Sequence, residues 1–562
     1  MRNLPIIVLL LVPGLASAQA LPDLAPREVE IRGELTISFP SLRRQPLIGF
    51  NPPPRVPDVD VRRMPYVEAY KQDSANLPQN QLQNPTTPRA LPTATGEGFT
   101  GTFETGFGRY ATRYALLEAS LYSSSSSRWT IDGAYEGTTS YAPFGTDAAA
   151  NGFSGGSRYT TSGRRISFGI EGSGSSDSYT LYGVDQAGSG GAQAAPTRTR
   201  GDLQGGLWFG SGSESSVGFR ASLDGFSGRH STDVFANTED PRTERTDAGA
   251  EAGLRFSAGA FRVDGTAGTL TLDGASGRSV GHFDAGGGVR LRLGQATTLF
   301  FGGRVLGFEA QQDATLQNRR RALSYASPGF ELESALAPNI RLEVTQRPGL
   351  GTTRPGELFR VQPFLADQVM LEPVVYPIDG VARLRGFWSS FQASVIATYR
   401  ESPNWRVFEH QPGDYTGYAR GLSTIRHTAA RTMSLGGEVR MSPAAGVEAR
   451  VGVRVQDGQL TDLDADMPYF SPWAMDGMVS VAFAQRRGLV QATTAVLGTR
   501  PRDASGLVDV PLYADLDLRL SYAVAGSALA VLELRNLLGE TPYWFNYPEP
   551  PATVVLGFGW RW

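Results

Sequence analysis

The chain has 562 residues, with 52 Lys and Arg against 55 Asp and Glu, a formal charge of -3 and a mean hydropathy of -0.22. That balance leaves no basic surplus for a nucleic-acid partner. Cysteine is absent, which excludes disulfides, thiolate metal sites and a cysteine nucleophile.

The first predicted element is a leader over residues 1–18. Arg2 precedes a largely apolar run, Leu4 to Val12, and Ala16-Ser17-Ala18 follows, the order of a secretory signal peptide cut before Gln19. The run is too short to cross a bilayer, and no later stretch offers about 20 consecutive apolar residues, so a helical membrane protein is excluded. Residues 19–96 are rich in Pro, as in Asn51-Pro52-Pro53-Pro54, and in Gln and Asn between Gln79 and Asn84. This composition predicts a mostly extended segment.

Residues 97–562 fall into segments of about 9 to 14 residues with period-two alternation. Ala248, Ala250, Ala252, Leu254 and Phe256 oppose Asp247, Glu251 and Arg255. Phe283, Val289, Leu291 and Leu293 oppose Asp284, Arg290 and Arg292. Further on, Val447, Ala449, Val451 and Val453 oppose Glu448, Arg450 and Arg454, while Leu516, Leu518 and Leu520 oppose Asp515, Asp517 and Arg519. Glu533 and Arg535 continue the polar face. The final residues set Val554, Leu556, Phe558, Trp560 and Trp562 against Val555, Gly557, Gly559 and Arg561. Strands with one apolar side and a side carrying charges of both signs predict a barrel with lipid outside and water inside. The lumen charges serve to hydrate the wall by pairing across strands, or else to select solutes or grip a plug.

Connections alternate between short turns and longer loops, as bacterial barrels require. Counting back from Trp562, short turns fall at Ala525-Gly526, Arg486–Gly488, Pro443–Gly446, Trp388–Ser390, Ala335–Asn339, Gly294–Ala296, Ser257–Gly259, Gly210–Ser215, Gly174–Asp177 and Ser123–Ser126. Longer stretches include 501–511, 459–472, 402–428, 347–377, 228–244, 185–198 and 141–162. The predicted fold is therefore all-β: a transmembrane antiparallel β-barrel of about 22 strands, following a mostly extended Pro-rich N-terminal segment.

No residue set points to catalysis, a cofactor or a metal. Of the four histidines, His230, His410 and His427 fall in or beside outer loops and His282 begins a strand, without metal-ligand spacing. Solvated loop histidines are the expectation, and the protein is not expected to be an enzyme. The loop aromatics Trp405, Phe408, Tyr415 and Tyr418 are suited to stacking on a sugar or chelate ring, with ordinary packing preferred.

The last third of the chain resembles the barrel of the TonB-dependent receptor family. The similarity lies in Asn536-Leu537-Leu538 with Tyr543, in the proline-rich Tyr547–Pro551 before the closing strand, and in Gln362-Pro363-Phe364-Leu365 ahead of the strand pair from Ile378 to Arg400. The aromatic ending, with Leu556, Phe558, Trp560 and Trp562, resembles the signal that the outer-membrane barrel assembly machinery recognises. The resemblance implies export to a Gram-negative outer membrane, ligand uptake by a receptor-like barrel, and a periplasmic energy-coupling partner. It departs from the family in one respect: residues 19–96 leave no room for a standard plug. A minimal plug anchored by Phe39, Phe50, Tyr66 and Tyr70 is one expectation for this segment, and docking of a periplasmic partner is another. A scaffold barrel that holds a surface or periplasmic partner, or a diffusion porin, is the alternative function.

Overall fold

The structure is a computed structural model that describes residues 99–562 apart from 140–148, 182–195, 212–216, 234–241, 274–277, 311–320, 353, 367–368, 370, 411–422, 502–503, 505–508, 539–542, 545–546 and 549–550. The leader, the Pro-rich segment and Phe39, Phe50, Tyr66 and Tyr70 lie outside the described residues, as do Tyr415 and Tyr418.

Twenty-two strands form one closed antiparallel barrel. Each pairs with its neighbours in sequence, and the circle closes where the first strand, Thr100–Gly108, pairs on one side with Arg113–Ser123 and on the other with the last, Thr553–Arg561. Closure leaves no strand edge, so the backbone of every wall strand finds partners without water, the condition for crossing hydrocarbon. Strand lengths run from 7 residues in Ile340–Gln346 to 22 in Ser423–Ala444.

The alternation read from the sequence is the alternation of the wall. On the closing strand Val554, Leu556, Phe558 and Trp560 point outward and are exposed, whereas Val555 and Gly559 are buried. The same phase puts Phe283, Leu291, Val451, Val453 and Val479 on the outer surface. In a water-soluble protein so many exposed large apolar side chains would drive aggregation; against lipid they form the required apolar band.

Short turns cap one end of the barrel. Gly259, Gly294, Gly446 and Gly526 have φ of +56°, +75°, +84° and +50°, a region that other residues enter at a cost. One expected turn is corrected: Gly174–Asp177 lies inside the continuous strand Ile166–Thr180, and the chain reverses instead between Ser162 and Ile166. The Gly- and Ser-rich composition that suggested a turn supplies small side chains to a strand. Three expected long stretches also shrink, because strands Ala150–Ser162, Val217–Asp233, Arg242–Ala258, Phe391–His410 and Ser423–Ala444 extend into them. A register shift between Ser402 and Trp405 marks where the strand Phe391–His410 leaves simple alternation. Beyond it Trp405, Val407 and Phe408 are all buried.

Candidate functional site

The loop between Ile340–Gln346 and Ile378–Phe387 turns into the lumen instead of away from it. It opens with Gly349–Gly351, which pairs with Val374–Tyr376, and contains a short helix, Pro355–Val361. Pro355 sits in the first turn, where its missing N–H costs nothing and its fixed φ suits a helix. The helix buries Leu358 and Phe359.

Polar groups of the wall hold this loop by its backbone. The Arg200 guanidinium donates to the carbonyl of Gly356 at 3.1 Å, Tyr179 Oη and Arg198 donate to that of Pro363, and Arg245 Nη1 donates to that of Val369 at 3.1 Å. Two of the arginines are themselves ion-paired, Arg200 with Asp177 and with Asp202 at 3.0 Å and Arg245 with Asp247 at 2.8 Å, while Arg198 donates to Thr232 at 2.9 Å. Gly356 lies so close to the Asp202 carboxylate that a Cβ there would overlap it. Buried charges cost desolvation, and these recover it through matched partners and hydrogen bonds to the loop.

Apolar packing does the rest. Leu358, Phe359, Leu365, Val369, Leu371 and Val375 form one buried cluster with Leu270, Val280, Leu306 and Phe308 of the wall. Those four wall residues occupy the lumen phase of their strands, where water would otherwise meet them. Arg354 reaches deepest, bonding Gln204, the eighth residue of the 15-residue strand Thr197–Ser211, so the loop extends about halfway down that strand. Beneath the helix the lumen keeps a cleft of about 170 Å³ lined by Asp202, Gln204, Phe226, Arg354, Glu357 and Arg360 among others.

Two expectations change here. His230, expected to be solvated, is fully buried under Phe359, with ring centroids 4.6 Å apart and the Asp247 carboxylate 3.8 Å from Nε2. The stretch 347–377, expected as one of the long outer loops, turns inward and spends much of its surface against the wall. His282 hydrogen-bonds Glu251 at 2.9 Å. Trp405 packs edge-on to Tyr376 and Phe408 belongs to the core under the loop, so both serve packing. Outside the membrane-crossing strands, burial raises the Tyr376 phenol above its usual range and pushes the Arg500 guanidinium down to about 10.

The predicted lumen charges divide into groups. Arg519 donates to both oxygens of Glu104, at 2.8 and 2.6 Å, and pairs with Glu533; Arg535 pairs with Glu533 at 2.9 Å and Glu136 at 3.0 Å. Tyr114 Oη donates to Glu104 at 2.7 Å. This network ties the last strands to the first across the closing strand, and Gly557 leaves the space that the Tyr114 hydroxyl occupies. Asp517 accepts from the N–H of Asn536, which sits buried at φ +51°; Asp515 lies two residues before it on the same face. Leu537 and Leu538 are exposed, and Tyr543 begins the ribbon Tyr543–Trp544. Arg450 pairs with Glu438 and Asp476, and Arg454 bonds Gln456. Glu448, Arg290 and Arg292 face the lumen at the turn end, all three exposed. Sequence reading missed Glu104 and Tyr114, which lie on the first two strands, Thr100–Gly108 and Arg113–Ser123.

The chain thus forms a closed 22-stranded antiparallel barrel with an apolar outer band and a charged lumen. Among solved structures it is similar to the FrpB iron transporter from Neisseria meningitidis, with a TM-score of 0.63 at 10% identity, covering 83% of each chain. The ferric preacinetobactin receptor BauA from Acinetobacter baumannii gives 0.62 at 12% identity over 83% of this chain and 80% of its own. The copper transporter OprC gives 0.61 at 13% identity over 83% and 80%. No family model and no curated protein matches the sequence.

Proposed function

We propose that this protein sits in the outer membrane and takes up a ligand through its lumen, with residues 1–18 as an export signal and 19–96 as a minimal plug or coupling segment. The observation that supports it most is the barrel itself: 22 strands enclose a lumen too wide to be filled by wall side chains alone, and the similar structures are of iron, copper and ferric-chelate transporters or receptors. In this orientation the short turns face the periplasm and the long loops face outward. Leu556, Phe558, Trp560 and Trp562 are the residues through which the assembly machinery would take up the chain.

Cells expressing or lacking the protein are tested for uptake of iron, copper and ferric chelates with and without an uncoupler. Uptake that requires the protein and collapses with the uncoupler supports the proposal. A second reading, a diffusion pore, is favoured by the loop that narrows the lumen; it predicts protein-dependent uptake indifferent to the uncoupler. Stable co-purification of one partner with no solute flux supports the scaffold alternative instead.

A further inference from the structure

Charge is matched at the loop end of the lumen, whereas at the turn end arginine is in excess. At the loop end Arg200, Arg245 and Arg400 each hold carboxylates. At the turn end, over the eleven consecutive strands from Val217–Asp233 to Val447–Leu460, the five residues of each strand nearest its short turn hold ten arginines and four carboxylates, a surplus of six positive charges. All fourteen share the lumen phase of their strands.

The register makes the surplus costly. Arg220 stands directly opposite Arg255, Arg341 opposite Arg385, and Arg440 opposite Arg450. Like charges facing each other across a ladder destabilise a sheet. The nearby carboxylates are shared: Glu343 serves Arg383 and Arg385, and Glu438, two residues further from the turn than Arg440, serves Arg440 and Arg450. Arg255, Arg290 and Arg292 have exposed side chains with no ion-pair partner among the described residues.

The geometry points to this arginine arc as a binding site for a multivalent anion, a phosphate or polycarboxylate group carried by the solute that passes through the lumen. A concave wall with a net positive surplus, flanked by apolar lipid, focuses its field inward and concentrates counter-ions. Rings of arginine are a means by which pores favour anions. Planar guanidiniums suit the oxygens of phosphate and carboxylate alike. The inference deepens the uptake reading and rests on the lumen being the route of passage; binding itself is measured apart from transport, so either can fail alone.

The test uses the full mature protein in nonionic detergent, titrated calorimetrically with inorganic pyrophosphate and separately with citrate at fixed ionic strength. Three proteins are compared: wild type, the triple variant R255Q/R290Q/R292Q, and R229Q, which removes an exposed arginine of the loop end. Saturable binding to wild type and R229Q that weakens about tenfold or more in the triple variant is the expected result. If only one probe behaves this way, the inference stands and the anion is assigned to that chemistry. The three single substitutions, each at an exposed side chain, replace the triple variant if it fails to fold. Absence of saturable binding to wild type, or equal binding to wild type and variants, overturns the inference; occupation of the arc by acidic residues of this chain would give the first of these results.

Discussion

Replacing Phe359 by Ala separates the docked loop from the barrel that holds it. The side chain is fully buried, packs on the His230 ring and lies under the Arg198 guanidinium, 5.0 Å from the ring centroid. Truncation of a buried Phe costs about 3–5 kcal/mol. The wall is held by strand pairing to which Phe359 contributes nothing, so the loss falls on loop docking alone. At about 1.4 kcal/mol per decade this is roughly a hundredfold to a few-thousandfold rise in the undocked population. Hydrogen exchange measured by mass spectrometry reads it directly. Peptides covering 355–366 lose protection by that factor, while peptides from Val447–Leu460 and Thr553–Arg561 exchange as in wild type. Unchanged protection of 355–366, or equal loss throughout the wall, refutes the docking argument.

Other substitutions probe other parts of the account. Gly356→Ala drives a Cβ into the Asp202 carboxylate, so the same peptides lose protection although no contact has been deleted. Arg519→Ala leaves Glu104 and Glu533 facing each other at the seam with side chains only 8% and 10% exposed; breaking a buried pair in this way costs about 3–5 kcal/mol and lowers the urea midpoint of the refolded barrel. Phe558→Arg puts a charge on the lipid face and costs up to about 2–4 kcal/mol, depending on depth, whereas Phe558→Leu leaves the midpoint near wild type. Mass spectrometry of the exported protein is expected to place its first residue at Gln19.

The closing strand was legible because one physical demand, lipid on one side, sets every second residue from Val554 to Trp560. The strand count was legible for the same reason, even though Gly172-Ser173-Gly174-Ser175-Ser176 imitated a turn. Small residues reverse a chain in soluble proteins, but a lumen wall also accepts them in mid-strand. The docked loop was not legible. Its determinants join residues far apart in sequence, such as Arg200 with Gly356 across 156 positions, and no local period records such a contact. The one trace was that Leu270, Val280, Leu306 and Phe308 break the polar phase of the lumen near their loop ends. Read as a group, those four residues ask for an apolar cover. The burial of His230 follows from the same cover and was misread with it.

The most direct test of gated uptake is planar-bilayer conductance of the mature protein beside a version lacking residues 19–95. The account predicts a closed full-length protein and an open deletion variant, whose conductance increases again when Phe359→Ala releases the docked loop. Equal conductance with and without residues 19–95 would contradict it.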